Sequence, residues 1–249
     1  MFGKRPSKPP ENPFSETRNR QESRPSHTIQ RPQRREPEYF AKIIYLNAKD
    51  VISHPLEDGR RSVHIETMLC ALGAMAGFGC QVSVYEGLVA GGLISARDAF
   101  LIVKTNDGGT YLFGDHLNSS LVDGTKSVWG YVGGALQSLG QPLIDMHEIA
   151  DFVTRSVGSP SFGTLRVSAE HQPILSPIEG LKGYWSYFYK MLQLENGDPM
   201  LTGVYFGIAA HLFIIEAKDI LSPEIAARIV MESAIAMSKI DPKLIVLEI

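Results

Sequence analysis

Cysteine is nearly missing from this chain. There are two in 249 residues, Cys70 and Cys80. Two thiols cannot build a disulfide framework. Paired CxxC and HExxH spacings are also missing, so no ligand set for zinc is expected. Both cysteines stand in or beside an apolar segment, where a free thiol behaves as a small hydrophobe. A reducing, cytoplasmic setting follows as the expectation. Strong net charge is lacking too: the formal value is −3, which supplies no general attraction to nucleic acid. No apolar run reaches the roughly 20 residues of a membrane span. The best candidate, Met200 to Ile215, is 16 residues long and contains His211; it reads as a buried helix. The first residues pass straight into polar, proline-rich sequence without the apolar centre of a signal peptide. Phosphate-binding fingerprints are incomplete. Gly87-Leu88-Val89-Ala90-Gly91-Gly92 has no following helix with a lysine, and Gly124-Thr125-Lys126-Ser127 lacks the upstream glycine of a P-loop. No cofactor and no metal are expected.

What is present is unevenly distributed. Residues 1–38 hold seven of the 15 prolines, nine Lys or Arg and five Asp or Glu. So little apolar surface cannot offset the entropy of ordering, and this stretch reads as a disordered, mildly basic arm. Residues 39–249 then carry 15 basic and 22 acidic residues. Phosphate binding would rest on Arg31, Arg34 and Arg35 alone, which argues against nucleic acid.

The rest reads as a single α+β domain, with a helix and antiparallel sheet over 39–120 and mainly helix over 121–249. Phe40–Leu46 is a strand or short helix. Ser62 can cap a helix running to about Phe78. From Met68 to Phe78 that helix shows no polar stripe, so it should be the buried central helix, packed on the sheet. Gly79 ends it, and Gln81–Tyr85 alternates like a strand. Glu86–Ala96 is a glycine-rich loop. Ala99–Lys104 and Thr110–Phe113 flank Asn106-Asp107-Gly108-Gly109 and predict a hairpin. Helices follow over 123–139, from Asp145 with Glu148 three residues on, over 181–194, over 199–218 and from Ser222-Pro223. The last one places Glu224, Arg228 and Glu232 on its exposed side, and Leu244–Ile249 reads as a final strand.

The order helix, Phe78-Gly79-Cys80-Gln81-Val82-Ser83-Val84, hairpin Phe100–Phe113, then Asp115 resembles the catalytic core of transglutaminase-like, papain-fold proteins over residues 62–118. The resemblance implies a buried helix that starts at the nucleophile, with a histidine and an aspartate on the following strands. This chain departs from the pattern. The nucleophile position falls near His64, the histidine position near Asp98 or Ala99, and only Asp115 matches in type. Thiolate attack needs a cysteine with an adjacent base, so the resemblance implies a scaffold without that activity.

Under this reading His64, Asp98, Asp115 and His116 approach one another at the start of the helix, with Glu66 nearby, as candidate acid–base residues. His64 and Glu66 would point about 200° apart on a helix, which argues against one shared ion. Tyr184–Tyr189 is dense in aromatics and is either core or an interface anchor. Three functions remain open. The first is a non-enzymatic protein-binding or accessory module acting through the arm or Tyr184–Tyr189. The second is a hydrolase or transferase using Asp115, His116 and His64. The third is a small-molecule binding domain.

Overall fold

Pro37 opens the first helix, α1 (Pro37–Val51), where its missing N–H costs nothing. Phe40, Ile44 and Ala48 recur every fourth residue and bury one face. The expected strand or short helix at Phe40–Leu46 is therefore the middle of a longer helix. This is a computed structural model that describes residues 35–55, 61–106 and 108–245. Most of the expected arm, Asp107 of the turn and the end of the expected Leu244–Ile249 strand lie outside them. From Arg35 on, the chain forms one compact unit.

Two short strands, β1 (His54–Pro55) and β2 (Arg61–Ser62), pair antiparallel and lead into α2 (Ile65–Val84). His64, rather than Ser62, caps α2, with Nδ1 accepting from the Thr67 N–H at 3.3 Å. All residues from Thr67 to Val84 are buried. The sequence pattern missed its end. Gly79 does not stop the helix, and Gln81–Tyr85 is not a strand. A Cβ on Gly79 would lie 2.9 Å from Gly203 Cα, so this glycine serves close helix packing rather than termination. Ser83 Oγ donates to the Gly79 carbonyl at 2.8 Å, and tertiary burial overrides the weak β preference of Val82 and Val84. One π-helical turn, Tyr85–Val89, continues the rod.

A single helical turn, α3 (Ala96–Ala99), precedes the expected hairpin of β3 (Leu101–Lys104) and β4 (Thr110–Phe113), in which Leu101 pairs with Phe113 and Lys104 with Thr110. Asp115 does not close a strand. It begins α4 (Asp115–Asn118), after Gly114 at φ 153°. The remainder is helical: α5 (Val128–Ser138), α6 (Met146–Ser156), α7 (Pro177–Leu194), α8 (Thr202–Glu216) and α9 (Pro223–Met237). The Asp145 cap of α6 is as expected, accepting from the Glu148 N–H at 3.1 Å. Ser222 precedes α9 without a side-chain cap. Pro242–Leu244 is a 3-10 turn, so the strand expected over Leu244–Ile249 does not begin at Leu244.

Helices dominate, and each described sheet has two strands. The neighbours of α2 are α7, α8 and α9, not a sheet folded over it. Gly73 faces Val230 and Gly77 faces Ala234, and Gln81 Nε2 donates to the carbonyls of Ser238 at 2.6 Å and Ile240 at 2.9 Å. These three contacts advance together, so α2 and α9 run parallel. Two helical segments, Ile65–Val89 and Pro199–Glu216, are long and apolar enough to cross a membrane; their most apolar windows are 100% and 61% buried in protein.

Tyr184–Tyr189 is mostly core. Trp185 and Phe188 are fully buried, and Tyr187 at 47% is the ring turned out. Trp185 stacks on Tyr189 and meets Phe78 edge-on at 4.8 Å. That segment is therefore no continuous interface.

Candidate functional site

The irregular stretch between α6 and α7 is fixed at several points. Gln172 Nε2 donates to the carbonyls of Leu165 at 3.1 Å and Val167 at 2.9 Å, closing the stretch on itself. The Ile174 N–H donates to Thr67 Oγ1 at 2.9 Å, tying it to α2. His171 Nδ1 lies 3.1 Å from Glu66 Oε1.

The strongest tie is ionic. Glu232 on α9 was expected on an exposed face, yet its side chain is 1% exposed. Its Oε2 accepts from the Arg166 backbone N–H at 2.7 Å. Its Oε1 accepts from Arg166 Nε at 3.0 Å, Arg166 Nη2 at 2.7 Å and Arg228 Nη1 at 3.2 Å. Both arginines also bond Glu148, and the Arg166 guanidinium lies 4.0 Å over the Phe152 ring. Two cations and two anions balance, which is the condition for burying a carboxylate. The Arg166 hydrogen bond holds the Glu148 carboxyl below the usual range. Its stabilisation is complete above the ordinary carboxylate pKa and is lost as pH falls through the lowered value. At 43% exposed, Glu148 contributes less than about 1 kcal/mol through each pair.

The pinned stretch forms one wall of a cavity of about 600 Å³. Tyr111 and Phe162 meet edge-to-face with centroids 5.0 Å apart. Leu165, Ile178, Met237 and Ile240 continue the apolar lining, and Thr110, Thr164 and Gln172 supply polar groups. Glu179 at the edge belongs to a capping box: its Oε2 accepts from the Ser176 N–H at 2.8 Å and Oγ–H at 2.6 Å. The Ser176 hydrogen bonds hold its pKa low. Glu179 thus fills the N-terminus of α7 and leaves no opening there for an anion. The walls come from sequence-distant segments, so sequence reasoning had no signal for this site.

The expected acid–base residues do not converge. Asp98 and Asp115 do share a shallow cleft of about 600 Å³ with Arg97, Phe113 and Asn118. His64 caps the other end of α2, a helix of 20 residues and about 30 Å. The cleft belongs to the far end, because Ala99, Phe100 and Leu112 pack with Val84. His116 is exposed on α4 and does not line the cleft. His64 Nδ1 accepts from the Thr67 N–H and meets Thr67 Oγ1 at 2.9 Å, so in its capping tautomer that nitrogen has no proton to share with Glu66.

Burial pushes both the Cys70 and Cys80 thiols up to about 12. At pH 8 neither should react with 5,5′-dithiobis(2-nitrobenzoate) in the folded protein, and both should react in 6 M guanidinium; a fast native phase of one equivalent would contradict this. Burial pushes Lys239 down to about 8. Its ammonium stands 4.4 Å over the Phe113 ring but lines neither the cavity nor the cleft. Among the described residues no group of three His, Cys, Asp or Glu is placed to hold a metal ion.

Comparison with family models, with curated proteins and with solved structures finds no match to this chain.

Proposed function

We propose that the chain is a non-enzymatic binding module, and that the cavity between the hairpin, the 157–176 stretch, α7 and α9 holds a neutral, largely apolar small molecule. The reading rests on one observation: a cavity of about 600 Å³ with aromatic and aliphatic walls, held open by the hydrogen-bonded, ion-paired stretch beside it. That volume lies in the usual range for ligand pockets, and a few polar groups on apolar walls is their usual chemistry. The ionised Glu179 disfavours anions. High thiol pKa values and the distance of His64 from Asp98 and Asp115 leave those groups poorly suited to catalysis. The free thiols fit a reducing compartment such as the cytoplasm.

The test uses N-phenyl-1-naphthylamine, a neutral apolar fluorophore. One molecule should bind per chain with a Kd on the order of 10 µM, and binding should raise thermal stability. Ile178→Trp fills the cavity from α7, and Thr164→Trp narrows its rim. Both should keep the native circular dichroism and weaken binding at least tenfold. Equal affinity in wild type and both folded variants would move the probe elsewhere and remove the reading.

A further inference from the structure

Among the described residues, the hairpin leaves one strand edge without a partner strand. β4 is covered on its outer side, because the Leu112 N–H donates to the Lys239 carbonyl at 2.8 Å and Tyr111 bridges Ile240. That bond fixes the parity of the ladder. Leu112 points its N–H away from β3, so Ile102–Leu112 is a non-hydrogen-bonded pair and Leu101–Phe113 and Val103–Tyr111 are hydrogen-bonded pairs. The Thr105 N–H to Gly109 carbonyl bond at 3.0 Å continues the same alternation. It follows that the N–H and C=O of Ile102 and Lys104 point outward from β3, and among the described residues no strand meets them. The side chains there are also uncovered: Leu101 is 66% and Ile102 57% exposed.

We propose that β3 pairs antiparallel with β3 of a second copy of this chain, joining two hairpins into a four-stranded sheet about a two-fold axis. Parity allows even-numbered residues to face only even-numbered ones across this edge. Setting Ile102 opposite Lys104 of the partner copy, and Lys104 opposite its Ile102, satisfies all four outward groups of each strand. Val103 then faces its own counterpart on the axis. The alternative with Ile102 on the axis needs Phe100, whose N–H is already given to the Ala96 carbonyl at 3.1 Å. Charge agrees with the first register. Lys104 of the partner stands beside Ile102, a wall of the cleft that holds two carboxylates, Asp98 and Asp115, against one cation, Arg97. Neither carboxylate has an ion-pair partner among the described residues, and the lysine stem can cover the exposed isoleucine. A self-complementary patch is what a two-fold interface requires. Strands of four residues bury less than a standard interface, so the dimer is weak.

Sedimentation velocity of the full chain between 5 and 500 µM should show a reversible monomer–dimer equilibrium that weakens with added salt. Ile102→Pro removes an outward donor that the hairpin does not use; it should leave the protein monomeric throughout, with unchanged circular dichroism. Lys104→Glu keeps the backbone intact and should weaken the dimer at least tenfold, and Asp115→Lys added to it should restore part of the loss. A wild-type monomer at 500 µM overturns the proposal, as does a dimer indifferent to both single variants. So does a monomer that instead takes up an extended peptide on this strand, seen as amide shifts at Ile102 and Lys104. The cavity probe reads a different site, so either result stands without the other.

Discussion

Gly77→Ala is expected to cost more than about 4 kcal/mol, beyond the range of ordinary point mutations. A Cβ on Gly77 would overlap the Ala234 carbonyl oxygen and lie 2.8 Å from Ala234 Cα; on Gly73 it would lie 2.9 Å from Val230 Cα. The obstacle in both cases is main chain, which cannot swing aside as a side chain can. One added methyl therefore forces α2 and α9 apart along a buried seam. Overpacking usually costs about 1–3 kcal/mol when side chains can repack; here they cannot. Helix propensity alone would favour alanine by about 1 kcal/mol, so the sign of the result separates the two effects. Gly134→Ala and Gly183→Ala are the controls. Both lie in helices with nothing within 4 Å of the added atom, and both should be neutral or stabilising by up to about 1 kcal/mol. Urea unfolding followed at 222 nm measures all three. A Gly77→Ala protein with wild-type stability would mean that α2 and α9 are not in backbone contact.

Glu232→Ala should cost about 3–5 kcal/mol, because it removes the buried one of the two carboxylates that Arg166 and Arg228 share, leaves them only the half-exposed Glu148, and leaves the Arg166 N–H unbonded. Arg166 is 27% exposed, so partial hydration places the expectation toward 3 kcal/mol. Glu232→Gln keeps the volume and should cost less. Asp151→Ala breaks the Arg155 pair, whose side chains are 67% and 77% exposed, and should change stability by less than about 1 kcal/mol. The same Glu232→Ala protein should bind the naphthylamine probe more weakly, since the freed stretch is the cavity wall. If Glu232→Ala and Asp151→Ala cost the same, Glu232 is not buried in solution.

These residues also mark what could be read in advance. The hairpin was legible because its signal is local: β-rich runs on either side of a turn. So was the burial of 68–78, where no polar stripe remained. The extent of α2 was not, because Gly79 carries the same symbol whether it ends a helix or admits a neighbour, and only Gly203 decides. Glu232 sits four residues after Arg228, the pattern of a solvated face; Arg166, 66 positions away, turns it inward. The expected site split for a similar reason. Asp98 and Asp115 meet because the hairpin joins them, whereas His64 is held at the far end of a helix that proved longer than its pattern suggested.

The parallel seating of α2 against α9 has a consequence for how the chain is made. Gln81 waits for carbonyls 157 residues further on. At about 5–20 residues per second of synthesis, Gln81 is made roughly 8–30 s before its partners on the far side of α9 exist. A nascent chain cut before Pro223 has α7 and α8 but leaves the Gly73 and Gly77 face of α2 without its partner. That face can close only once α9 has been made.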